Sequence, residues 1–192
     1  MNRLFVILIV LMSAFFFGQA EPEKNVLLLS DIQDAYFAGG YSELVEPIPA
    51  IENATRIPDD FRHKRQRIIH IKHGESPQSN IHETVKVSPG EIVFMDQDVN
   101  SYLNSGLLEY LRDNQVKRLD LCGMQTHMCL KAATRAASDY GADCNVIADA
   151  CATKDLKFGD NVIKAGDVHY STLATFRPYA KVMDTVDYLK NH

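Results

Sequence analysis

The 192-residue sequence lacks any run of basic residues, and aspartate and glutamate outnumber lysine and arginine by 25 to 20. Its net charge is -5, and it has no stripe in which basic and aromatic residues alternate. Both features argue against a nucleic-acid partner. Internal repeats, low-complexity tracts and linkers are also absent from the sequence. We therefore expect one domain, long enough to bury a sizeable core.

A long hydrophobic run is also missing. The apolar run at residues 4–17 falls short of the roughly 20 residues that cross a membrane comfortably. It follows the positive charge of Arg3 and is succeeded by small residues that end at Ala20, which is typical of a secretory signal peptide. We expect residues 1–20 to be this signal peptide and residues 21–192 to form the mature domain. The protein would then be secreted or periplasmic, with no stable membrane anchor after cleavage.

The rest of the chain alternates between two kinds of hydrophobic pattern. Short apolar segments predict buried strands at residues 25–31, 67–73, 91–96, 118–123, 144–149 and 180–184. Segments with helical periodicity lie between them, at residues 42–65, 103–114, 127–140 and 166–177. This alternation indicates βαβ units. We predict an α/β fold, a three-layer αβα Rossmann-like domain with a mostly parallel six-stranded sheet.

Polar and reactive side chains follow the predicted strands closely. In open α/β sheets, ligands bind at the carboxyl ends of the strands, near the point where the strand order reverses. The residues that this rule selects are Asp31, His73 with Glu75, Asp96, Cys129 and Asp149. They are the first candidates for a functional site.

Cys129 lies within CGMQTHMCL, residues 122–130, where a strand is expected to turn into a helix. In the first turn of that helix, the dipole and unpaired N–H groups would favour the thiolate. The N–H groups of Met128 and Cys129 could hold the oxyanion that forms when the thiolate attacks a carbonyl. Asp31, a carboxylate beside apolar walls, is the candidate base. The alternative is a buried structural cysteine, the commoner fate of a cysteine taken alone.

The sequence contains four cysteines, Cys122, Cys129, Cys144 and Cys151. Four cysteines allow three pairings, and a Cys122–Cys129 disulfide would need Cα atoms within about 7 Å. We expect free thiols. Thiol redox chemistry by Cys122 and Cys129 is a weaker hypothesis, because their spacing is not C-x-x-C.

Three segments, LLLSDIQDAYFAGG, CGMQTHMCLKAATRAA and IADACATKDL, resemble the isochorismatase-like cysteine hydrolases in order and spacing. In that family the second cysteine of Cys-Gly-x-x-Thr-x-x-Cys is the nucleophile, and an aspartate after the first strand is its base. A lysine after the third strand completes the triad. The resemblance implies cleavage of a C–N bond in a small amide, or of a vinyl ether in some branches. It further implies a small-molecule substrate and a homo-oligomer, and no cofactor is expected.

The resemblance carries over to particular residues. Cys129 would be the nucleophile and Asp31 the base, and a non-proline cis peptide between Met124 and Gln125 would shape the oxyanion hole. The candidates for substrate binding are Gln33, Phe37, Tyr102, Met128 and His73. Core packing is the alternative role for Phe37.

The sequence departs from the family at the third position of the triad. Asp96 stands where the lysine belongs, and no lysine lies between Lys86 and Lys117. Two nearby carboxylates usually share a proton, with one pKa strongly raised. Three hypotheses stay open: Asp31 and Asp96 work as an acid–base pair, Lys72 substitutes for the lysine, or the protein is a catalytically silent ligand-binding protein. We count Asp96 among the catalytic residues because it would modulate protonation.

The histidines do not suggest a metal site. The Asp-x-His signature of the metal-dependent branch, expected after the second strand, is missing from the sequence. His70 and His73 are three residues apart on a predicted strand, so their side chains should point to opposite faces. No metal is predicted.

Overall fold

The computed structural model describes residues 25–192. The expected signal peptide at residues 1–20 lies outside this range. Within the described residues, no helix is both long enough and apolar enough to cross a membrane.

A six-stranded sheet forms the centre of the fold, and every strand pair in it is parallel. Its strand order is β3-β2-β1-β4-β5-β8, and a separate antiparallel hairpin consists of β6 and β7. The strands are β1 (Asn25–Ser30), β2 (Arg67–His73), β3 (Ile92–Asp96), β4 (Arg118–Met124), β5 (Asp143–Ala152), β6 (Leu156–Phe158), β7 (Asn161–Ile163) and β8 (Lys181–Met183). The predicted six-stranded parallel sheet is confirmed.

Helices flank this sheet and complete the three layers. They are α1 (Pro47–His63), α2 (Leu107–Asp113), α3 (Lys131–Asp139), α4 (Ala165–Phe176) and α5 (Thr185–Asn191), with a π-helical turn at Thr126–Leu130 before α3. Helix α1 packs with α5, and α3 packs with α4. The hairpin and α5 were not predicted, because segments of three to seven residues are too short to show a clear periodicity.

The central strand β1 explains why the sequence forms this sheet. All six of its residues are buried, as in a parallel strand that is covered on both faces. Each of its leucines contributes about 2 kcal/mol by leaving water. The neighbouring strand β4 approaches β1 so closely at Gly123 that a Cβ there would lie 2.0 Å from the Ser30 carbonyl oxygen. Glycine is therefore required where β4 leaves the sheet, which fixes the start of the turn that carries Cys129.

Candidate active site

The strand order reverses between β1 and β4, and the predicted site residues meet at the carboxyl ends of the strands around this point. Asp31 directly follows β1, and the π-helical turn with Cys129 follows β4. His73 and Asp96 are the last residues of β2 and β3 and are partners in the strand register. The sheet topology therefore brings four of the candidate residues to one edge.

Asp31 is fully buried and has a left-handed backbone, with a φ of 52°. Its N–H donates to the Ile71 carbonyl at 3.1 Å, and its Oδ2 accepts a hydrogen bond from the Ser30 hydroxyl at 2.9 Å. Within residues 25–192, Oδ1 has no partner at full hydrogen-bond geometry, yet the Cys129 thiol is near enough to lower the pKa of the carboxyl. Burial, followed by repulsion from Asp96, outweighs this effect and raises the pKa of Asp31 to about 7.

Cys129 lies beside this carboxyl, but its environment differs from the one predicted. It sits in the π-helical turn, two residues before α3 begins, rather than in the first turn of an α-helix. Burial raises the pKa of its thiol well above the ordinary value, and the charges of Asp31 and Asp96 raise it further. The predicted depression of this pKa is wrong, because burial and two carboxylates outweigh the positive end of the helix. Cys129 is nevertheless a free thiol, as predicted, and so are Cys122, Cys144 and Cys151.

The turn before Cys129 has part of the predicted oxyanion geometry. The peptide bond between Met124 and Gln125 is cis, as the resemblance implies. However, the Met128 N–H donates to the Gln125 carbonyl at 3.0 Å, so its predicted role as an oxyanion donor is wrong for this structure. The Cys129 N–H interacts with its own sulfur, where it favours the thiolate. It is the remaining candidate donor of the predicted pair.

Asp96 does not stand alone in the place of the family's lysine. Its Oδ1 lies 2.8 Å from Nδ1 of His73, whose side chain is 36% exposed whereas that of Asp96 is 1% exposed. Burial raises the pKa of Asp96, and the bond to His73 opposes this rise. Lys72 lies beside Met95 in the register, so strand alternation directs its side chain to the face opposite His73. His73, and not Lys72, is therefore the basic side chain at Asp96.

Comparison with known proteins agrees with this geometry. The model of the isochorismatase domain matches residues 25–177. The chain belongs to the isochorismatase family. Over 178 residues it is 35% identical to YddQ of Bacillus subtilis strain 168, described as an uncharacterized isochorismatase family protein, and the match covers 86% of this chain and 99% of the relative.

Two further proteins of this family are similar to the chain. The crystal structure of an isochorismatase from Pseudomonas putida KT2440 superposes with a TM-score of 0.81 at 29% identity, covering 86% of this chain and 90% of the other. Isc1 of Verticillium dahliae, described as a secreted isochorismatase effector, is 24% identical over 148 residues. That match covers 71% of this chain and 77% of Isc1. The chain is thus an isochorismatase-family hydrolase along most of its length.

The buried amide of Gln33 bonds to the backbone at the end of β2. Its side-chain N–H groups donate to the carbonyl oxygens of His73 at 3.1 Å and Ser79 at 2.7 Å. Its Oε1 accepts from the His73 N–H at 2.9 Å. Because both donors and the acceptor bond to the backbone, the amide has no donor left for a substrate. Gln33 holds the end of β2 in place, and its contact with a substrate stays a prediction.

Tyr102 lies far from Cys129, contrary to its prediction as a substrate-binding residue. Its ring packs against Tyr140 with centroids 5.6 Å apart, and it lines a cavity of about 220 Å³ with Leu111 and Ala137. Tyr140 caps the carboxyl end of α3, whereas Cys129 precedes the amino end of the same helix. Eleven residues of helix separate these ends by roughly 16 Å. Tyr102 therefore belongs to the core at the far end of α3, away from Cys129.

Two further candidates for substrate binding, Phe37 and Met128, have different environments. Phe37 is buried and packs against His82 with ring centroids 4.0 Å apart, consistent with a packing role. Met128 is 37% exposed on the turn. Contact of either side chain with a substrate stays a prediction. Glu75 is exposed, and Asp149 bonds to Thr185 at the start of α5, so neither is required by the site.

Sequence reasoning missed Tyr36 and the side chain of Gln125. Burial raises the pKa of Tyr36, and the next causes are the charges of Asp31 and Cys129, which places its hydroxyl beside both. Tyr36 also interacts with the Gln125 amide, whose buried Oε1 has no hydrogen-bond partner in the described part of the chain. The only sequence signal for Tyr36 was its place five residues after Asp31.

Thr126 and His169 anchor the turn that carries Cys129 to its neighbouring elements. The Thr126 hydroxyl donates to the Ala152 carbonyl at 3.1 Å, so it accepts from Nδ1 of His169 at 3.0 Å. This pattern requires the His169 tautomer that carries its proton on Nδ1. Burial lowers the pKa of His169, which favours the neutral ring. Thr126 thus ties the turn that carries Cys129 to β5, and His169 ties the same turn to α4.

The described residues contain no cluster of three or more histidine, cysteine or carboxylate side chains suited to a metal ion. His70 instead bonds to Glu91 at 2.8 Å on the other face of β2.

Proposed function

We propose that this protein cleaves the C–N bond of a small amide through an acyl-enzyme on Cys129. The observation that carries the proposal is a buried carboxyl, Asp31, with a pKa of about 7, beside the Cys129 thiol at the switch point of the sheet. A base with a pKa near the working pH is the most effective kind of general base. Membership of the isochorismatase family supports the same chemistry.

The first half of the reaction forms a thioester. Because the pKa of the Cys129 thiol is raised, we expect the proton to leave while sulfur attacks the amide carbonyl, rather than before. Asp31 accepts that proton, and the Cys129 N–H stabilises the oxyanion. When the C–N bond breaks, Asp31 returns the proton to the nitrogen. An amine or ammonia leaves, and the acyl group stays on sulfur.

The second half hydrolyses the thioester. Water attacks the acyl carbon, Asp31 accepts a proton from it, and the C–S bond breaks as the sulfur regains a proton from Asp31. The products are a carboxylic acid and the free thiol. Asp31 thus alternates between base and acid, which its pKa near neutrality allows.

We place this activity outside the cytoplasm, in the periplasm or the extracellular medium. The leader at residues 1–20 has the layout of a signal peptide. A relative, Isc1, is described as secreted. Fractionation of cells that express the full chain, with mass measurement of the product, tests this location. Cleavage after Ala20 supports it, and an intact chain in the cytoplasm contradicts it.

A ligand-binding protein without turnover is the second candidate. Its support is the charge of the site, because Asp96 replaces the family's lysine and helps to raise the pKa of Cys129. Such a protein would bind an amide and leave it intact.

Release of ammonia from a panel of acetamide, butyramide, benzamide and N-carbamoylglycine separates the two candidates. We expect the wild type to hydrolyse at least one amide and Cys129→Ser to lose at least about 10³-fold of that rate. Cys144→Ser is the matched control, because Cys144 is buried at the start of β5, and it should keep the wild-type rate within a few-fold. Hydrolysis by Cys129→Ser at the wild-type rate contradicts the proposal. Calorimetric binding without ammonia release supports the ligand-binding alternative.

A further inference from the structure

Two buried carboxylates in one site need a compensating charge. Ionised groups that leave water are stable only when they are paired and hydrogen-bonded. Asp31 accepts from a neutral hydroxyl, that of Ser30. Among residues 25–192, His73 is the only side chain capable of a positive charge that bonds to Asp31 or Asp96.

The structure holds His73 in this position from two sides. Gln33 bonds to both the N–H and the carbonyl of His73, which fixes the backbone that carries the imidazole. The next residue, Gly74, donates its N–H to the Asp96 carbonyl at 3.0 Å. The buried amide of Gln33 thus serves to align His73 with Asp96.

The nearby lysines have other positions. Lys72 neighbours Met95 and points to the other face of the sheet. Lys154, which follows β5, donates to the Ser42 hydroxyl at 2.9 Å. Neither lysine is bonded to Asp31 or Asp96.

We propose that His73 supplies, through Asp96, the positive charge that completes the reactive cluster around Cys129. This role rests on the proposed function, and it makes His73 a positioning residue, since it acts on Asp31 and Cys129 and not on the substrate. With an imidazolium on Asp96, the cluster of His73, Asp96 and Asp31 carries one net negative charge instead of two. Asp31 can then ionise and receive the thiol proton.

The side chain of His73 is well suited to this task. It is 36% exposed, whereas the carboxylate of Asp96 to which it bonds is buried. The titratable groups that face the pair are Asp31 from the end of β1, Cys129 from the turn after β4 and Asp98 after β3. The two other carboxylates oppose a further negative charge at Asp96, and so does Cys129 once its thiol has lost the proton. The imidazolium is the single cationic group that offsets them within the described chain.

The pH dependence of Cys129 alkylation by iodoacetamide tests the proposal without any knowledge of the substrate. Peptide mass spectrometry measures the rate, and fragment ions separate Cys129 from Cys122, which shares its tryptic peptide. In the wild type, the rate should rise with the ionisation of Asp31. His73→Gln keeps a donor for Asp96 but removes the charge, so the midpoint of this rise should move up by about 1 pH unit.

Matched controls isolate the effect of the charge. His63→Gln makes the same change at an exposed position, and its midpoint should equal that of the wild type. Alkylation of Cys144 and Cys151 should be unaffected in every variant. A midpoint in His73→Gln within about 0.2 pH units of the wild-type value overturns the proposal.

A rescue experiment separates a role of the charge from a role in packing. Asp96→Lys in the His73→Gln background removes one carboxylate and restores one cation, so the midpoint should return to the wild-type value or fall below it. Failure of the double variant to lower the midpoint, with a folded protein by circular dichroism, contradicts the proposal. If the wild type hydrolyses no amide while the midpoint moves as described, the proposed function fails and the assignment of His73 stands.

Discussion

Buried carboxylates in two regions of this protein differ in how fully their oxygens are hydrogen-bonded. Asp120, in the middle of β4, accepts hydrogen bonds from Asn25, Asn145 and Tyr188, each at 2.6 Å. Asp31 and Asp96, at the carboxyl edge of the same sheet, each keep one buried oxygen without a hydrogen-bond partner in the part of the chain that the structure describes. A satisfied carboxylate fixes the fold, whereas an under-satisfied one has a raised pKa and can exchange a proton.

The largest difference between the two groups should appear in activity. Asp31→Asn removes the proton acceptor for Cys129, so kcat on the best amide of the panel should fall by at least about 10³-fold. Asp120→Asn leaves the reactive edge intact, and its folded fraction should retain kcat within a few-fold. Steady-state kinetics at pH 7 provides the measurement. Equal losses in the two variants would remove the functional distinction between the carboxylates.

The second-largest difference should appear in the pH dependence of stability. The pKa of Asp31 rises from 3.8 to about 7 on folding, so between these values the folded state binds more protons than the unfolded state. The free energy of unfolding should therefore fall as the pH rises from about 4 to 7, and change no further above 7, by at most about 4 kcal/mol. Asp31→Asn lacks this loss, so it should be more stable than the wild type at pH 8. Urea denaturation at pH 5 and 8 measures the effect, and an equal pH dependence in both proteins contradicts it.

Asp120 should matter most for stability at a fixed pH. Asp120→Asn leaves three donors around an amide that can accept from only some of them, which should lower the free energy of unfolding by about 3 kcal/mol. Asp143→Asn is the matched control, because Asp143 is exposed, and it should change stability by less than about 0.5 kcal/mol. The midpoint of urea denaturation at pH 7 reports both values. A loss below 1 kcal/mol at Asp120 would mean that its hydrogen bonds contribute little.

The smallest effect should come from the removal of a single donor. Tyr188→Phe deletes one hydrogen bond to Asp120 and should cost about 1 kcal/mol. Tyr170→Phe changes a ring that is 73% exposed and should leave stability unchanged. The two denaturation curves, compared at pH 7, would contradict the account if they coincided.

The sequence predicted the fold well because its signals are local. Continuous apolar segments such as NVLLLS specify strands that are buried on both faces, and the six predicted strands are those of the sheet. The short hairpin β6–β7 and helix α5 lacked enough residues to show a period. The meeting of Asp31, His73, Asp96 and Cys129 could be predicted as well, because it follows from the rule on strand ends.

The electrostatics of the site could not be predicted in the same way. The helix end suggested a depressed pKa for Cys129, but the degree of burial and the nearness of two carboxylates depend on tertiary contacts. Gln33 is close to Asp31 in sequence, yet its partners are His73 and Ser79, more than 35 residues away. Nothing in the segment RLDLCG shows that Asp120 is a structural carboxylate. Residue type and spacing locate a reactive edge, and only long-range contacts assign roles within it.

The central claim is that the Cys129 sulfur becomes acylated during turnover. The most direct test is rapid acid quenching of the wild type during hydrolysis of its best amide, followed by mass analysis of the peptide that contains Cys122 and Cys129. We predict a mass increase equal to the acyl group, assigned by fragment ions to Cys129 and absent from Cys129→Ser. Steady hydrolysis with no such adduct, or an adduct on Cys122 alone, would contradict the account.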